Sequence, residues 1–180
     1  CVLVAGPWPA DAVLGVGRGL VDGRADRARQ LVGLGPGVDG AGGVTEVAYD
    51  RNGRTTMTRT YAKVLNANTL GVAPTEAQVS GLVNTQSLAN DALDEVDYRL
   101  YDGDGRVRLR IDGAGGVSET VYDVAGRVAR ETRYAQAVAM TTTLRNALVA
   151  GSATVASLNL NTLATANDTV VRHVYDTAGQ

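Results

Sequence analysis

Several residue types that build cores or chemical sites are almost missing from this sequence of 180 residues. It has no phenylalanine, one tryptophan and one cysteine, Cys1. A single cysteine excludes an intrachain disulfide and leaves no pair of thiolates for a metal site or a redox couple. Because phenylalanine is missing and tryptophan occurs once, the seven tyrosines must supply nearly all of the aromatic packing, and their positions are informative.

An excess of charge of one sign is missing too. The formal net charge is -2 and acidic and basic residues are interspersed, so no global field attracts nucleic acid or an anionic membrane. No apolar run approaches the roughly 18 residues of a membrane span, and the first residues lack the order of a signal peptide. We expect no nucleic-acid partner and no membrane span.

The composition is biased in a further way. Lys63 is the only lysine and Ile111 the only isoleucine, whereas arginine, alanine and glycine are abundant. This bias is typical of a GC-rich bacterial coding sequence. Residues 1–38 contain no tyrosine and no repeat, and a Gly/Ala/Val/Arg mixture fills them. We expect poor order there, and a sequencing frameshift is an alternative origin for this segment.

The rest of the chain repeats itself. Residues 39–62 match residues 112–135 at an offset of 73, with 13 of 24 positions identical, and residues 96–106 match 170–180 at an offset of 74. Every tyrosine lies in this frame, four of them directly before an aspartate. A repeat of about 73 residues organises the chain.

Each Tyr-Asp pair is followed by two residues and then by glycine. Aspartate can accept hydrogen bonds from the backbone just ahead of it, and glycine can adopt positive φ, so the pattern predicts a tight hairpin turn. The motif residues are Tyr49, Asp50, Gly53, Arg54; Tyr101, Asp102, Gly105, Arg106; Tyr122, Asp123, Gly126, Arg127; and Tyr175, Asp176, Gly179.

Strands are predicted between the turns. Val107, Leu109 and Ile111 alternate with arginines after one turn, which indicates a half-buried strand. A second turn at 112–116, a strand over 117–122 and another over 127–134 complete a four-stranded antiparallel meander. The fold class is therefore mainly β, with short helices in the inserts between units.

The inserts are polar and carry helix signals. Pro74-Thr75 followed by Gln78 indicates a capped helix near 75–84, with Val79, Leu82 and Val83 on one side. Leu144, Ala147 and Leu148 have helical spacing in the second insert. The predicted divisions are 1–38 (atypical), 39–61 (second half of a first unit), 62–95 (insert), 96–134 (complete unit), 135–169 (insert) and 170–180 (start of a third unit).

The recurring Tyr-Asp-x-x-Gly-Arg turns with strands on either side resemble the Rhs or YD-repeat family. That family includes cocoon components of bacterial toxin complexes, Rhs effectors and animal teneurins. The resemblance implies a β-sheet strip that curls into a shell around a C-terminal toxin domain, over roughly 39–61, 96–134 and 170–180. We expect the sequence to be a fragment, because it stops inside the motif with Gln180 in place of arginine.

The inserts depart from the compact spacing of the family, and its self-cleavage segment is missing. A more widely spaced repeat in a large bacterial surface protein is the other interpretation. The resemblance implies secretion or surface location and, as partners, neighbouring repeats, an enclosed toxin domain, or glycan.

Several polar residues could belong to a chemical site, but each of them also fits a structural role. His173 is the only histidine and cannot complete a zinc site with Cys1. The run 102–105 resembles a calcium loop but has Arg106 at a ligand position, so an aspartate-stabilised turn is expected. Asp94 and Glu95 fit a solvated linker.

An arginine stripe and two glycine-rich runs also resemble binding motifs. Arg106, Arg108 and Arg110 form a basic stripe that suits phosphate or sulfated sugar, but a face that is solvated or paired across the strands is favoured, with Glu119 as a candidate partner. The glycine-rich runs 15–19 and 40–43 lack the spacing and flanking elements of a nucleotide site.

No convergent catalytic set is present, so we expect a non-catalytic scaffold without a cofactor. It encloses or displays another domain; a carbohydrate- or cell-surface-binding module is the alternative.

Overall fold

Turn residues and alternating apolar residues divide the chain into short strands. The computed structural model describes residues 29–32, 42–66, 68, 70 and 74–176. Its strands are β1 (Arg29–Val32), β2 (Thr45–Tyr49), β3 (Thr55–Thr60), β4 (Glu95–Tyr101), β5 (Val107–Asp112), β6 (Val117–Tyr122), β7 (Val128–Arg133) and β8 (Thr169–Arg172). The expectation of poor order concerned residues 1–38, of which all but β1 lie outside the described residues.

The chain forms two compact units. One comprises Cys1–Val47 and Arg59–Asp94, and the other comprises Ala48–Thr58 and Glu95–Gln180. In each unit the strands are hydrogen-bonded neighbours in the order in which the chain forms them. From β4 to β8 every pairing is antiparallel, and β8 has no second neighbour among the described residues, so the sheet is an open meander. The mainly β prediction is confirmed.

The strand after the second Tyr-Asp turn behaves as its alternation predicts, with one exception. Leu109 and Ile111 are fully buried, but Val107 is only half-buried. Leu100 pairs with Leu109 while Tyr101 pairs with Val107, so Arg108 is an extra residue in the ladder. Such a bulge interrupts the period of two. The β6–β7 pair has the same shift at Ala129.

Both predicted helices are present. Helix α1 spans Glu76–Thr85, and its N-cap Thr75 forms a reciprocal capping box with Gln78. Helix α2 spans Thr142–Val149 and is capped by Thr141. Two short 3₁₀ helices, Ala156–Leu158 and Leu160–Thr162, follow α2.

The inserts supply much of each core. In the first unit, buried residues of the insert and of the sheet form one cluster: Val44, Tyr61, Leu65, Val79, Val83 and Leu88. In the second unit the larger cluster joins strand residues such as Tyr98, Leu109 and Ile111 to Val138, Leu148, Val149, Leu158 and Leu163 of the insert. In the second unit the insert therefore buries the apolar face of the sheet, and in the first it packs against residues next to β2 and β3.

Candidate functional site: the Tyr-Asp turns

The three Tyr-Asp turns that the structure describes are each organised by their aspartate. In the 102–106 turn, one carboxylate oxygen of Asp102 accepts hydrogen bonds from the backbone N–H of Asp104 (3.0 Å) and of Arg106 (2.9 Å). The other oxygen accepts from Nε of Arg106 at 2.8 Å. Asp50 and Asp123 make the equivalent three bonds in their own turns. The predicted aspartate-stabilised turns are confirmed at these three positions.

In the three described turns the motif glycine adopts the left-handed backbone conformation that the turn requires. Its φ is +76° at Gly53, +82° at Gly105 and +81° at Gly126. Its N–H donates to the carbonyl of the motif aspartate in all three turns. Residues with a Cβ adopt such φ values only at a cost, which explains why glycine recurs at this position.

The arginine of each turn contacts the tyrosine of the next motif along the chain. The guanidinium carbon lies over the ring at 4.5 Å for Arg54 on Tyr101, 4.5 Å for Arg106 on Tyr122, and 4.3 Å for Arg127 on Tyr175. Cation–π contacts of this kind are attractive. Since each arginine is also bonded to its own aspartate, it joins two successive motifs.

The tyrosine hydroxyls complete this link. Tyr101 donates to the carbonyl of Thr55 (2.7 Å), Tyr122 to that of Val107 (3.0 Å) and Tyr175 to that of Val128 (2.8 Å). In each case the acceptor is the residue directly after the motif arginine. We call the set of Asp–Arg–Tyr–carbonyl contacts the turn ladder; it is continuous from Asp50 to Tyr175.

Three of the fifteen motif residues belong neither to the three described turns nor to the turn ladder. Tyr49 is half-buried at the end of β2, Asp176 follows the last tyrosine of the ladder, and Gly179 lies outside the described residues. The ladder itself goes beyond the sequence prediction, because the motif shows which residues recur but not that an arginine reaches the tyrosine 47 residues later.

A fourth described turn, at 112–116, has the same backbone without the tyrosine or the arginine. Asp112 accepts from the N–H groups of Ala114 and Gly116. Gly115, at φ +93°, accepts at its carbonyl from the N–H of Val138 (2.9 Å). Gly42 and Leu65 make the same contact 73 residues earlier. The turn at 112–116 thus fixes the start of an insert against the sheet.

One aspartate closes each insert. Asp94 accepts from the N–H groups of Ala62 and Asn90, at the two ends of the first insert. Asp168 accepts from Ala135 and Thr165 at the ends of the second. The solvated linker role expected for Asp94 is therefore wrong. Its side chain is fully buried and accepts hydrogen bonds from these two backbone N–H groups.

A buried acid in β6 binds two arginines. Glu119 is 4% exposed and pairs with Arg108 at 2.9 Å and with Arg130 at 2.9 Å. Tyr134 also donates to it, at 3.3 Å. The predicted pairing of Arg108 is confirmed. Glu46 and Tyr61 form the same acid–tyrosine hydrogen bond in the first unit, 73 residues earlier. Because both residues recur at this offset, an alignment of the two repeats indicates the pair.

The remaining arginines of the predicted stripe also meet carboxylates. Arg106 pairs with Asp102 and Asp104, and Arg110 lies 3.4 Å from Asp97. Asp104 thus meets an arginine at the place where the sequence resembles a calcium loop. His173 contacts Glu131 at 3.2 Å beside β8.

The part of the chain that the structure describes holds no group of three or more His, Cys, Asp or Glu side chains arranged to bind a metal. Neither α1 nor α2 has the length and apolar character needed to cross a bilayer.

The comparisons with known proteins add nothing to this geometry. No family model matches the chain, and no curated protein matches it.

The turn aspartates make folding sensitive to acid. Burial works to raise the pKa of Asp50 and of Asp102, but the hydrogen bonds from Arg54 and Arg106 outweigh it and lower both values from 3.8. The backbone hydrogen bond from Arg127 lowers the pKa of Asp123.

Because these pKa values are lower in the folded chain, the aspartates stabilise it fully above the unfolded value, and the contribution is lost as pH falls through the folded values. We expect the melting temperature to fall between about pH 5 and about pH 2. The variant carrying Asp50→Asn, Asp102→Asn and Asp123→Asn should show a smaller fall. An unchanged pH profile for this variant would contradict the role assigned to the three carboxylates.

Proposed function

We propose that this chain is a non-catalytic structural segment of a large bacterial secreted or cell-surface protein of the Rhs/YD-repeat type. Its units form a β scaffold that encloses or displays another domain. The observation that carries the proposal is the turn ladder, in which every motif arginine is shared between its own aspartate and the next tyrosine. Such contacts between neighbours are how repeat arrays gain stability.

The turn ladder also connects strands that lie on either side of an insert, which supports the scaffold role. The link from Arg54 to Tyr101 and the link from Arg127 to Tyr175 each join strands that an insert separates in sequence. Extra residues between strands therefore leave the contact between successive motifs intact. A scaffold with this property tolerates insertions while its sheet continues.

A carbohydrate-binding module is the alternative, and it relies on exposed tyrosine and arginine side chains. The rings of Tyr101, Tyr122 and Tyr175 lie under arginines, and Arg108 is paired with a buried glutamate. These side chains stabilise the sheet, so the observations favour the scaffold. The sequence of the parent gene would distinguish an enclosing scaffold from a displaying one. A downstream toxin domain would indicate enclosure, and many further units would indicate surface display.

An extended chain tests the scaffold proposal directly. Gln180 occupies the repeat position of Arg106, so residues 107–180 can be joined again after position 180 in a chain carrying Gln180→Arg. We expect the longer chain to unfold in one transition with a larger m value and a higher midpoint in urea, because the added unit extends the sheet.

The matched control is the same extended chain with Arg127→Gln and Tyr175→Phe, which removes one link of the ladder. Its midpoint should lie below that of the extended parent. If the added unit unfolds separately, or if the control behaves like the parent, the scaffold proposal is wrong.

A further inference from the structure

Three polar side chains lie side by side on the face of the second unit's sheet opposite Leu109 and Ile111. Arg110 of β5 is directly opposite Ser118 of β6, and Ser118 is directly opposite Arg133 of β7. Directly opposite residues share a face, with Cβ atoms about 5 Å apart. Two arginines therefore flank one serine on this face of the sheet.

These donors are poorly used within the protein. Arg110 is 58% exposed at its side chain, and its one ion pair with a described residue is the 3.4 Å contact with Asp97. Arg133 is exposed and forms no ion pair with any described residue, and the Ser118 hydroxyl forms no hydrogen bond within the described part of the chain.

We propose that Arg110, Ser118 and Arg133 form a binding site for an oxyanion of the phosphate or sulfate ester class. The planar guanidinium groups can each donate two parallel hydrogen bonds to such an anion, and the serine hydroxyl can donate one more. This site goes beyond the proposed scaffold function and does not depend on it.

Neighbouring carboxylates set the limits of the site. Asp97 accepts a 2.7 Å hydrogen bond from Arg99 and competes with the ligand for Arg110. Glu131 lies on the same face two residues from Arg133 and contacts His173. Removing the Asp97 carboxylate should therefore strengthen anion binding, whereas removing Arg133 should weaken it.

Titration of the 180-residue protein followed by amide NMR tests the site, with inorganic phosphate, sulfate and O-phosphoserine as probes. We expect saturable shifts centred on Ser118 and Arg133. Arg133→Gln should raise the dissociation constant about tenfold, and Asp97→Asn should lower it. Tighter binding of O-phosphoserine than of inorganic phosphate indicates a ligand that carries the ester, and equal binding indicates the free anion; both outcomes support the site.

Arg172→Gln is the matched control. Arg172 is exposed on β8, and because Thr169 lies opposite Arg133, Arg172 falls on the other face of the sheet. It should leave the dissociation constant unchanged. Equal weakening by Arg172→Gln, shifts that sodium chloride reproduces, or the absence of saturable shifts would overturn the proposal. Circular dichroism of each variant verifies that the fold is retained.

Discussion

Gly115→Ala should lower the free energy of unfolding by about 3 kcal/mol, whereas Gly53→Ala should lower it by about 1 kcal/mol. Both glycines have positive φ, +93° and +76°, so both substitutions carry a backbone cost. They differ in their surroundings. A Cβ on Gly115 would lie 2.1 Å from the carbonyl oxygen of Val138, while a Cβ on Gly53 would meet nothing within 4 Å.

Urea unfolding at equilibrium measures the difference between the two variants. The clash at Gly115 can be relieved only if the start of the second insert moves away from the turn, since the neighbouring atom belongs to the backbone. We therefore expect hydrogen exchange at Val138 to be faster in Gly115→Ala than in Gly53→Ala. Equal losses in the two variants would mean that the close approach of the insert does not constrain the fold.

Much of the sheet could be predicted from the sequence because its determinants are local. A turn aspartate bonds the backbone two and four residues ahead, and alternation places Leu109 and Ile111 on one face. Helix α1 could be predicted for the same reason, since Thr75 and Gln78 form its capping box within one turn of helix. In each case the residues that decide the structure are neighbours in sequence.

Contacts between distant segments could not be predicted in this way. Helical spacing in the second insert predicts α2, but it does not show that Leu148 packs into the same core as Leu109 and Ile111. The bulge at Arg108 also escapes the pattern, because arginine fits both a regular strand and an extra residue. The repeat does offer one distant signal, since Glu46 and Tyr61 recur as Glu119 and Tyr134.

The inserts also bear on how a scaffold of this kind would enclose another domain. In the second unit the insert buries the apolar face of the sheet, so that face cannot line a chamber. The opposite face, which in the second unit carries Arg110, Ser118 and Arg133, is polar. A domain enclosed by such units would therefore meet this polar face or the inserts, and not the apolar face of the sheet.

The second large effect is expected at Glu119. Glu119→Ala should lower the free energy of unfolding by about 2 kcal/mol, because it leaves Arg108 and Arg130 without the carboxylate that neutralises them. A fully buried pair would lose more, but the two arginine side chains are 23% and 41% exposed, so water compensates part of the loss.

Glu131→Ala is the control for this prediction, because Glu131 is a carboxylate on the next strand that pairs with His173 at an exposed position. Its removal should change the free energy of unfolding by less than about 0.5 kcal/mol. Glu119→Gln should fall between the two variants, since the amide keeps an acceptor for Tyr134 and loses the charge. Similar losses for Glu119→Ala and Glu131→Ala would show that the buried acid is not what holds β5, β6 and β7 in register.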